Sequence, residues 1–435
     1  MPVSLVLAGS SATVSAETIT VCASGCDYTS INAAIGAASD GDVIQLAAET
    51  YFEGEQIDPR GKAITLRGVL DKAGEPTSVL DGAGSHRVLI CQRGETGSTV
   101  FEWLVIQNGS GSTGAGMINR NSSSPSLADC AFTSNSAHLG GGMYNSSSSP
   151  TLANCTFTGN TAYGGTGGGM SNNSSSPILT DCTFTGNSTS YSGGGIYNYL
   201  GSSPNLANCT FTGNAADYGG GMGNYYSSPT LADCTFENNS AEVGGGMYSY
   251  NSSFPTLTNC VFTDNSADFG GGMYNSDRSR PTLADCTFTN NSASYAGGMS
   301  NISSSPTLAN CTFTGNSAEI GTGGGMSNLN DSSPTLTNCT FTNNLAFRGG
   351  GISNFIDSSP TLTNCTFTDN SADDDGGGMR NSTSSSPTLA NCTFTNNSAD
   401  DDGGGVQNYK SSPTLTNCTF ADNSADGEGG GMRNS

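Results

Sequence analysis

Basic residues are scarce in this 435-residue chain: 13 Lys plus Arg stand against 36 Asp plus Glu, for a net charge of −23. Such a field repels nucleic acid and anionic membrane surfaces, and both are excluded as main partners. Long apolar runs are missing as well. No stretch approaches the ~20 consecutive apolar residues of a membrane-spanning helix. Charged residues of both signs make up only 11% of the chain, and there are just two histidines, His86 and His138.

What is plentiful is glycine, 61 residues, together with 18 Phe and 15 Tyr in a chain that is 34% hydrophobic. The glycine content argues for something periodic, and the aromatic content is more apolar material than a solvated coil needs. The cysteines reveal the period. Cys130, Cys155, Cys182, Cys209, Cys234, Cys260, Cys286, Cys311, Cys339, Cys365, Cys392 and Cys418 lie 25 to 28 residues apart. Each of the twelve units reads approximately SSPTL, Ala or Thr, Asn or Asp, CTFTxNSA, a short variable stretch, then GGGMxN. Repeats of this length mark solenoids, whose units bury their apolar face only by stacking on their neighbours.

Within a unit, Cys-Thr-Phe-Thr alternates with period two, which places Cys and Phe on one side of a strand and both threonines on the other. No window of the repeats has helical spacing. Every methionine except Met1 follows the glycines, and Ile196, Ile352 or Val406 replaces it elsewhere, as expected of a buried ladder. Three strands per unit are predicted, around Pro-Thr-Leu, Cys-Thr-Phe and Gly-Met-x-Asn. Asn or Asp before Cys suits a left-handed corner, and the glycines allow positive φ and close backbone approach. The Asn three residues after Phe (Asn160, Asn344, Asn370) recurs in all twelve units, where stacked side chains can hydrogen-bond along the axis. The fold expected is an all-β, right-handed parallel β-helix with one unit per coil. At ~4.8 Å per coil, twelve coils make a rod of roughly 60 Å.

Phe-Thr-x-Asn alternating with Gly-Gly-Gly-Met resembles the FxxN and GGA(I/L/V) repeats of the chlamydial polymorphic outer-membrane proteins, over about residues 117 to 435. The departures are Gly for Ala and usually Met for the branched residue, and no C-terminal autotransporter barrel follows. The resemblance implies a surface-exposed scaffold. Residues 17 to 116 lack this repeat. Their TSINAAIGAASDGDVIQLAAETYFEG resembles the beginning of pectate-lyase-like β-helices, with Ile31 and Ile35 on a short amphipathic helix that Gly41 can stop and that covers the open end of the rod. Residues 1–16 read as a clipped export signal without a positively charged start, with a disordered leader as the alternative. Export implies a secreted or cell-surface protein. The chain stops at GGGMRNS without a capping element, which leaves two expectations: a fragment of a longer chain, or an uncapped edge used for end-to-end self-association.

Several side-chain sets invite a functional reading. Cys22 and Cys26 are spaced for a disulfide, whereas the repeat cysteines are expected to form a dry thiol ladder, with metal binding as the alternative. Asp373, Asp374, Asp375, Asp400, Asp401 and Asp402, followed by Asp426 with Glu428, fall in one turn of three consecutive coils. Stacked carboxylates favour a cation such as Ca²⁺, which takes roughly 6 to 8 oxygen ligands. Against that, equivalent turns elsewhere hold Asp217-Tyr218, Ser294-Tyr295 and Phe347-Arg348, and a solvated loop is the competing reading. No other cofactor is implied.

Tyr191, Tyr218, Phe269, Tyr295 and Phe347 share that turn and form an aromatic stripe, suited to a glycan or a protein surface, or else to packing of the loop. Both hydroxyls of Thr-Phe-Thr face outward in two sets of coils, Thr156/Thr158 to Thr210/Thr212 and Thr287/Thr289 to Thr393/Thr395. The pairs Thr312/Thr314, Thr340/Thr342, Thr366/Thr368 and Thr393/Thr395 would make a flat grid similar to the ice-binding face of β-helical antifreeze proteins, although threonine suits any exposed strand. Polysaccharide lyases and hydrolases need grouped carboxylates with Arg, Lys or His, which the repeats hold sparsely. The reading that follows is a non-enzymatic extracellular or cell-surface scaffold, adhesive through its variable turn, with ice binding and polysaccharide cleavage as alternatives.

Overall fold

The computed structural model describes residues 16–435, so the expected leader falls almost wholly outside the described residues. The chain winds as a right-handed solenoid whose strands line up in four parallel sheets of 16, 15, 13 and 14 strands. One coil shows the plan: Thr335–Thr337 in the first sheet, Thr340–Thr342 in the second, Leu345–Arg348 in the third and Ile352–Phe355 in the fourth. Four strands per coil replace the three predicted from sequence. The extra one is the Ser-Ala segment after the buried Asn, where only the alanine (Ala346, Ala372, Ala399) points inward and is buried. Ala372 therefore belongs to a strand, Ser371–Ala372, and not to a turn.

Register between coils is residue for residue: Phe341 pairs with Phe313 and Phe367, and Met326 with Met299 and Ile352. Like therefore stacks on like. The repeat phenylalanines from Phe132 to Phe394 are fully buried, with neighbouring rings 4.5 to 5.0 Å apart and nearly coplanar stacking. Leu, Cys and Met ladders fill the rest of the core.

Two buried asparagine ladders run beside them. In the first, side-chain amides from Asn160 to Asn397 donate to the next coil's Oδ1 and to a phenylalanine carbonyl, as Asn344 does to Asn370 and Phe313, both at 2.9 Å. The second follows the methionines, from Asn119 to Asn224 and again from Asn275 to Asn434, with bonds such as Asn328 to Asn354 at 2.9 Å. These bonds satisfy polar atoms that would otherwise be costly in a dry interior.

The residue before each repeat cysteine is left-handed, as its Asn or Asp predicts: φ is 53° at Asn154 and 54° at Asn338. A second left-handed corner precedes each buried Asn, at Asn343 (φ 53°) and Asp369 (φ 55°). In the motif SADDDGGGM the three glycines have separate causes. Gly376 has φ +72°, whereas a Cβ on Gly377 would sit 2.1 Å from the Ser398 carbonyl, and one on Gly378 would sit 2.6 Å from the Gly405 carbonyl. The coil simply has no room there for a side chain.

The N-terminal region feeds the same sheets: Thr18–Val21, Val43–Leu46, Thr65–Arg67 and Val100–Glu102 pair in that order and then meet Ser126–Ala128. The helix Ile31–Ala37 is capped by Ser30 and buries Ile31 and Ile35. It ends at Ala38, ahead of Gly41, because the extended φ/ψ of Ala38 already breaks it. Cys22 and Cys26 are disulfide-bonded. No helix among the described residues is long and apolar enough to cross a membrane.

Candidate functional site

The aspartate turns stack as expected but are not a bare stripe of carboxylates. Asp374, Asp375 and Asp401 bring their oxygens within 4.8 Å of one another, and Asp401, like Asp373 and Asp400, is exposed. Arginines from the same and neighbouring coils intervene: Arg348 bonds Asp374, Arg380 bonds Asp375 at 3.5 Å, and Arg433 bridges buried Asp402 and Glu428. Burial, and then the neighbouring Asp374, push the Asp375 carboxyl above its ordinary range, against the pull of Arg380 and Arg348. The arginines thus supply counter-charge within the turn itself, beside carboxylates for which a bound cation and a solvated loop were the competing expectations.

The aromatic stripe is only partly continuous. Tyr218, Phe269, Tyr295 and Phe347 sit on strands of the third sheet, and Tyr191 on the bend after Ser188–Thr189. Phe269 stacks on Tyr295 at 5.2 Å, and Tyr191 meets Tyr218 edge-on at 5.8 Å. Val243 separates Tyr218 from Phe269 in the register, and the longer coil Ser317–Thr322, carrying exposed Ile320, separates Tyr295 from Phe347. Arg348 covers Phe347, its guanidinium carbon 5.0 Å from the ring centre.

The larger aromatic feature lies on the adjoining fourth sheet, outside the variable turn. Tyr197, Tyr199, Tyr225, Tyr226, Tyr248, Tyr250 and Tyr274 join Tyr191 and Tyr218 in one network of ring contacts between 4.7 and 6.2 Å. The signal was present in GGGIYNY, GGGMGNYY and GGGMYSY: tyrosines at the second and fourth residues of strands whose first and third residues point inward. Burial, followed by nearby acidic groups, pushes the Tyr274 phenol up to about 12, and burial likewise raises Tyr197 and Tyr248. At neutral pH these phenols are protonated and serve as both donors and acceptors.

The threonine grid is in register. Thr312, Thr340, Thr366 and Thr393 form one row, and Thr314, Thr342, Thr368 and Thr395 the other, all half-buried by their neighbours. Glu237 and Val261 interrupt the rows between the two sets. His86 sits beside Ser85, and His138 faces the Tyr163 carbonyl a coil away.

The sequence matches the right-handed beta helix region family over residues 121–288 and 274–433. The chain belongs to that family. The match is to right-handed β-helices at large and does not reach the narrower chlamydial repeats. No curated protein matches this β-helix by sequence. Among solved structures it is similar to tailspike protein 3 of bacteriophage CBA120, at 13% identity and a TM-score of 0.47 over 83% of this chain, which spans 58% of that protein. It is also similar to pectate lyase Pel9A, at 12% identity and a TM-score of 0.31, covering 75% of this chain and 79% of that one. A third is a mannuronic acid specific polysaccharide family 6 lyase from human gut microbiota, at 12% identity and a TM-score of 0.37, covering 92% and 83%. These likenesses concern the fold and carry no activity over to this chain.

Within the β-helix the thiols of the cysteine ladder are free, and all but Cys418 are buried. Hydrogen bonding to Cys130, with burial, pushes the Cys155 thiol well up, and burial does the same for Cys91, which lies outside the ladder on the fourth sheet. Buried in the core, the ladder thiols pack as small apolar side chains.

Proposed function

We propose that this β-helix is a non-enzymatic scaffold, secreted or displayed on a cell surface, that adheres through the aromatic side formed by its third and fourth sheets. The observation that carries the reading is the single contact network of nine tyrosines, among them Tyr191 and Tyr226, which are half exposed. Side chains of this kind offer large, stiff contact area at low entropic cost and a hydroxyl at the tip. The likeness of the repeats to those of chlamydial outer-membrane proteins supports display at a surface. The carboxylates that could serve a hydrolase are paired with Arg348, Arg380 and Arg433 in a turn repeated over three coils, which supports scaffold over catalysis.

The test is binding of the full chain to glycan and host-protein arrays, beside the double variant Tyr225→Ala/Tyr250→Ala. The expected result is binding by the parent that falls at least tenfold in the variant. Equal binding by both, or turnover on a polysaccharide panel, overturns the reading.

The in-register rows from Thr312/Thr314 to Thr393/Thr395 favour ice binding as a second reading. A thermal-hysteresis measurement decides it: absence of both hysteresis and ice shaping ends that alternative.

A further inference from the structure

The second residue of each fourth-sheet strand faces outward, and along the tyrosine region it alternates in size. The rungs run Tyr144, Ser171, Tyr197, Gly223, Tyr248 and Tyr274. Each small residue leaves a hollow between two tyrosines: about 230 Å³ between Tyr144 and Tyr197, and about 250 Å³ between Tyr197 and Tyr248. Tyr191 and Tyr218 close the second hollow on one flank, and Tyr225 and Tyr250 on the other.

The two hollows differ in how the hydroxyl at their base is paired. Thr166 pairs with Ser171 at 3.4 Å, and in a later coil Thr322 pairs with Ser327 at 3.2 Å. Ser192 occupies the same position as Thr166, but five residues on, its own coil carries Tyr197 in place of a serine, and Gly223 of the next coil offers no side chain. Ser192 is 3% exposed, and its hydroxyl is buried without a partner among the described residues. Ser192 lines the hollow, and its hydroxyl lies against Gly223, where a Cβ would stand 2.4 Å from it. A buried hydroxyl left in this way costs free energy that a ligand hydroxyl can recover.

We infer that the hollow over Gly223 is a subsite for one pyranose ring of an uncharged glycan. Tyrosine faces suit the C–H face of a sugar ring, and the Ser192 hydroxyl and the phenols suit its hydroxyls. The volume lies just below the ~300 to 1,000 Å³ of pockets that enclose drug-sized ligands, so one ring enters and the remainder of the chain lies along the rod. The lining contains no Lys, Arg or His to meet a uronate carboxylate. The Asp277 carboxylate, which acts on both Tyr250 and Tyr274, opposes a second negative charge nearby.

The inference rests on the adhesive reading, and its test separates the two. The full chain, Gly223→Tyr and Ser192→Ala are titrated calorimetrically with neutral gluco-, manno- and galacto-oligosaccharides and with oligogalacturonate and oligomannuronate. Gly223→Tyr repeats the residue of both neighbouring rungs and fills the hollow, and thermal unfolding checks that it is folded. Expected are binding of a neutral series only, loss of more than tenfold in Gly223→Tyr, and a loss of roughly 2- to 10-fold in Ser192→Ala. Neutral-sugar binding that survives in Gly223→Tyr but is lost in Tyr225→Ala/Tyr250→Ala overturns the subsite and leaves the adhesive face standing. Binding confined to uronates, or to proteins on the array, also overturns it. If no ligand depends on any tyrosine of the face, both readings fall.

Discussion

Asn224 and Asn275 occupy the same ladder position two coils apart and are not connected, because Ser249 stands between them. Everywhere else along this row each asparagine reaches its neighbour, but Ser249 is too short. Asn224 Nδ2, Ser249 Oγ and Asn275 Oδ1 are all left without partners among the described residues. Replacing Ser249 with Asn restores the residue found on the adjoining rungs and satisfies a buried donor and a buried acceptor.

Ser249→Asn is therefore expected to stabilise the coils around it by about 1–3 kcal/mol. Because solenoids unfold in local segments, amide exchange over residues 222–276 is the appropriate measurement alongside thermal unfolding. Unchanged or faster exchange there would refute the ladder argument.

Phe341 and Thr342 are adjacent residues on opposite faces of one strand, the first fully buried and the second half-buried. Phe341→Ala removes a ring stacked at 4.8 and 4.9 Å on both neighbours and is expected to cost ~3–5 kcal/mol. Thr342→Ser should cost well under 1 kcal/mol. Denaturant titration of both variants checks the pair, and similar losses would mean that the strand faces are misassigned.

Thirteen cysteines are free, and twelve of those are buried in the core. A thiol reagent should label at most Cys418 in the native chain, and all thirteen after denaturation. Rapid native labelling of the others would contradict a dry ladder.

Glu95 is 1% exposed and accepts from the Gly61 and Arg93 N–H groups at 2.9 and 2.8 Å. Burial works to raise its pKa, but the N–H donors of Arg93 and Gly61 and the Ser123 hydroxyl outweigh it and hold the carboxyl below its ordinary range. A carboxyl depressed in the folded state contributes stability that is present above its unfolded value of ~4.3 and is lost as pH falls through the folded value. Unfolding followed from pH 7 down to 3 should show that loss. In Glu95→Gln the acid limb should be flatter and the stability at pH 7 lower by about 1–3 kcal/mol.

The period, the inward face and the first corner were legible because each rests on a residue type recurring at fixed spacing: Phe and Cys inside, Asn or Asp where φ is positive. The third sheet was not, since its strands are short, polar and variable, with a lone inward alanine such as Ala346 giving no apolar alternation. The pairing of Asp374 with Arg348 and of Asp402 with Arg433 joins residues 26 and 31 positions apart and depends on stacking register. The hollow over Gly223 is harder still to read. It is made by a missing side chain, and it matters only because neighbouring coils place Tyr197 and Tyr248 on either side of it.

The hydrogen bonds joining successive coils run along the rod, so tension applied between its ends loads them in line and releases them one coil after another. A coil of about 26 residues advances the rod by only ~4.8 Å yet reaches ~90 Å when pulled straight. A rod of this design would lengthen in steps when pulled, while the coils still wound keep their stacked core.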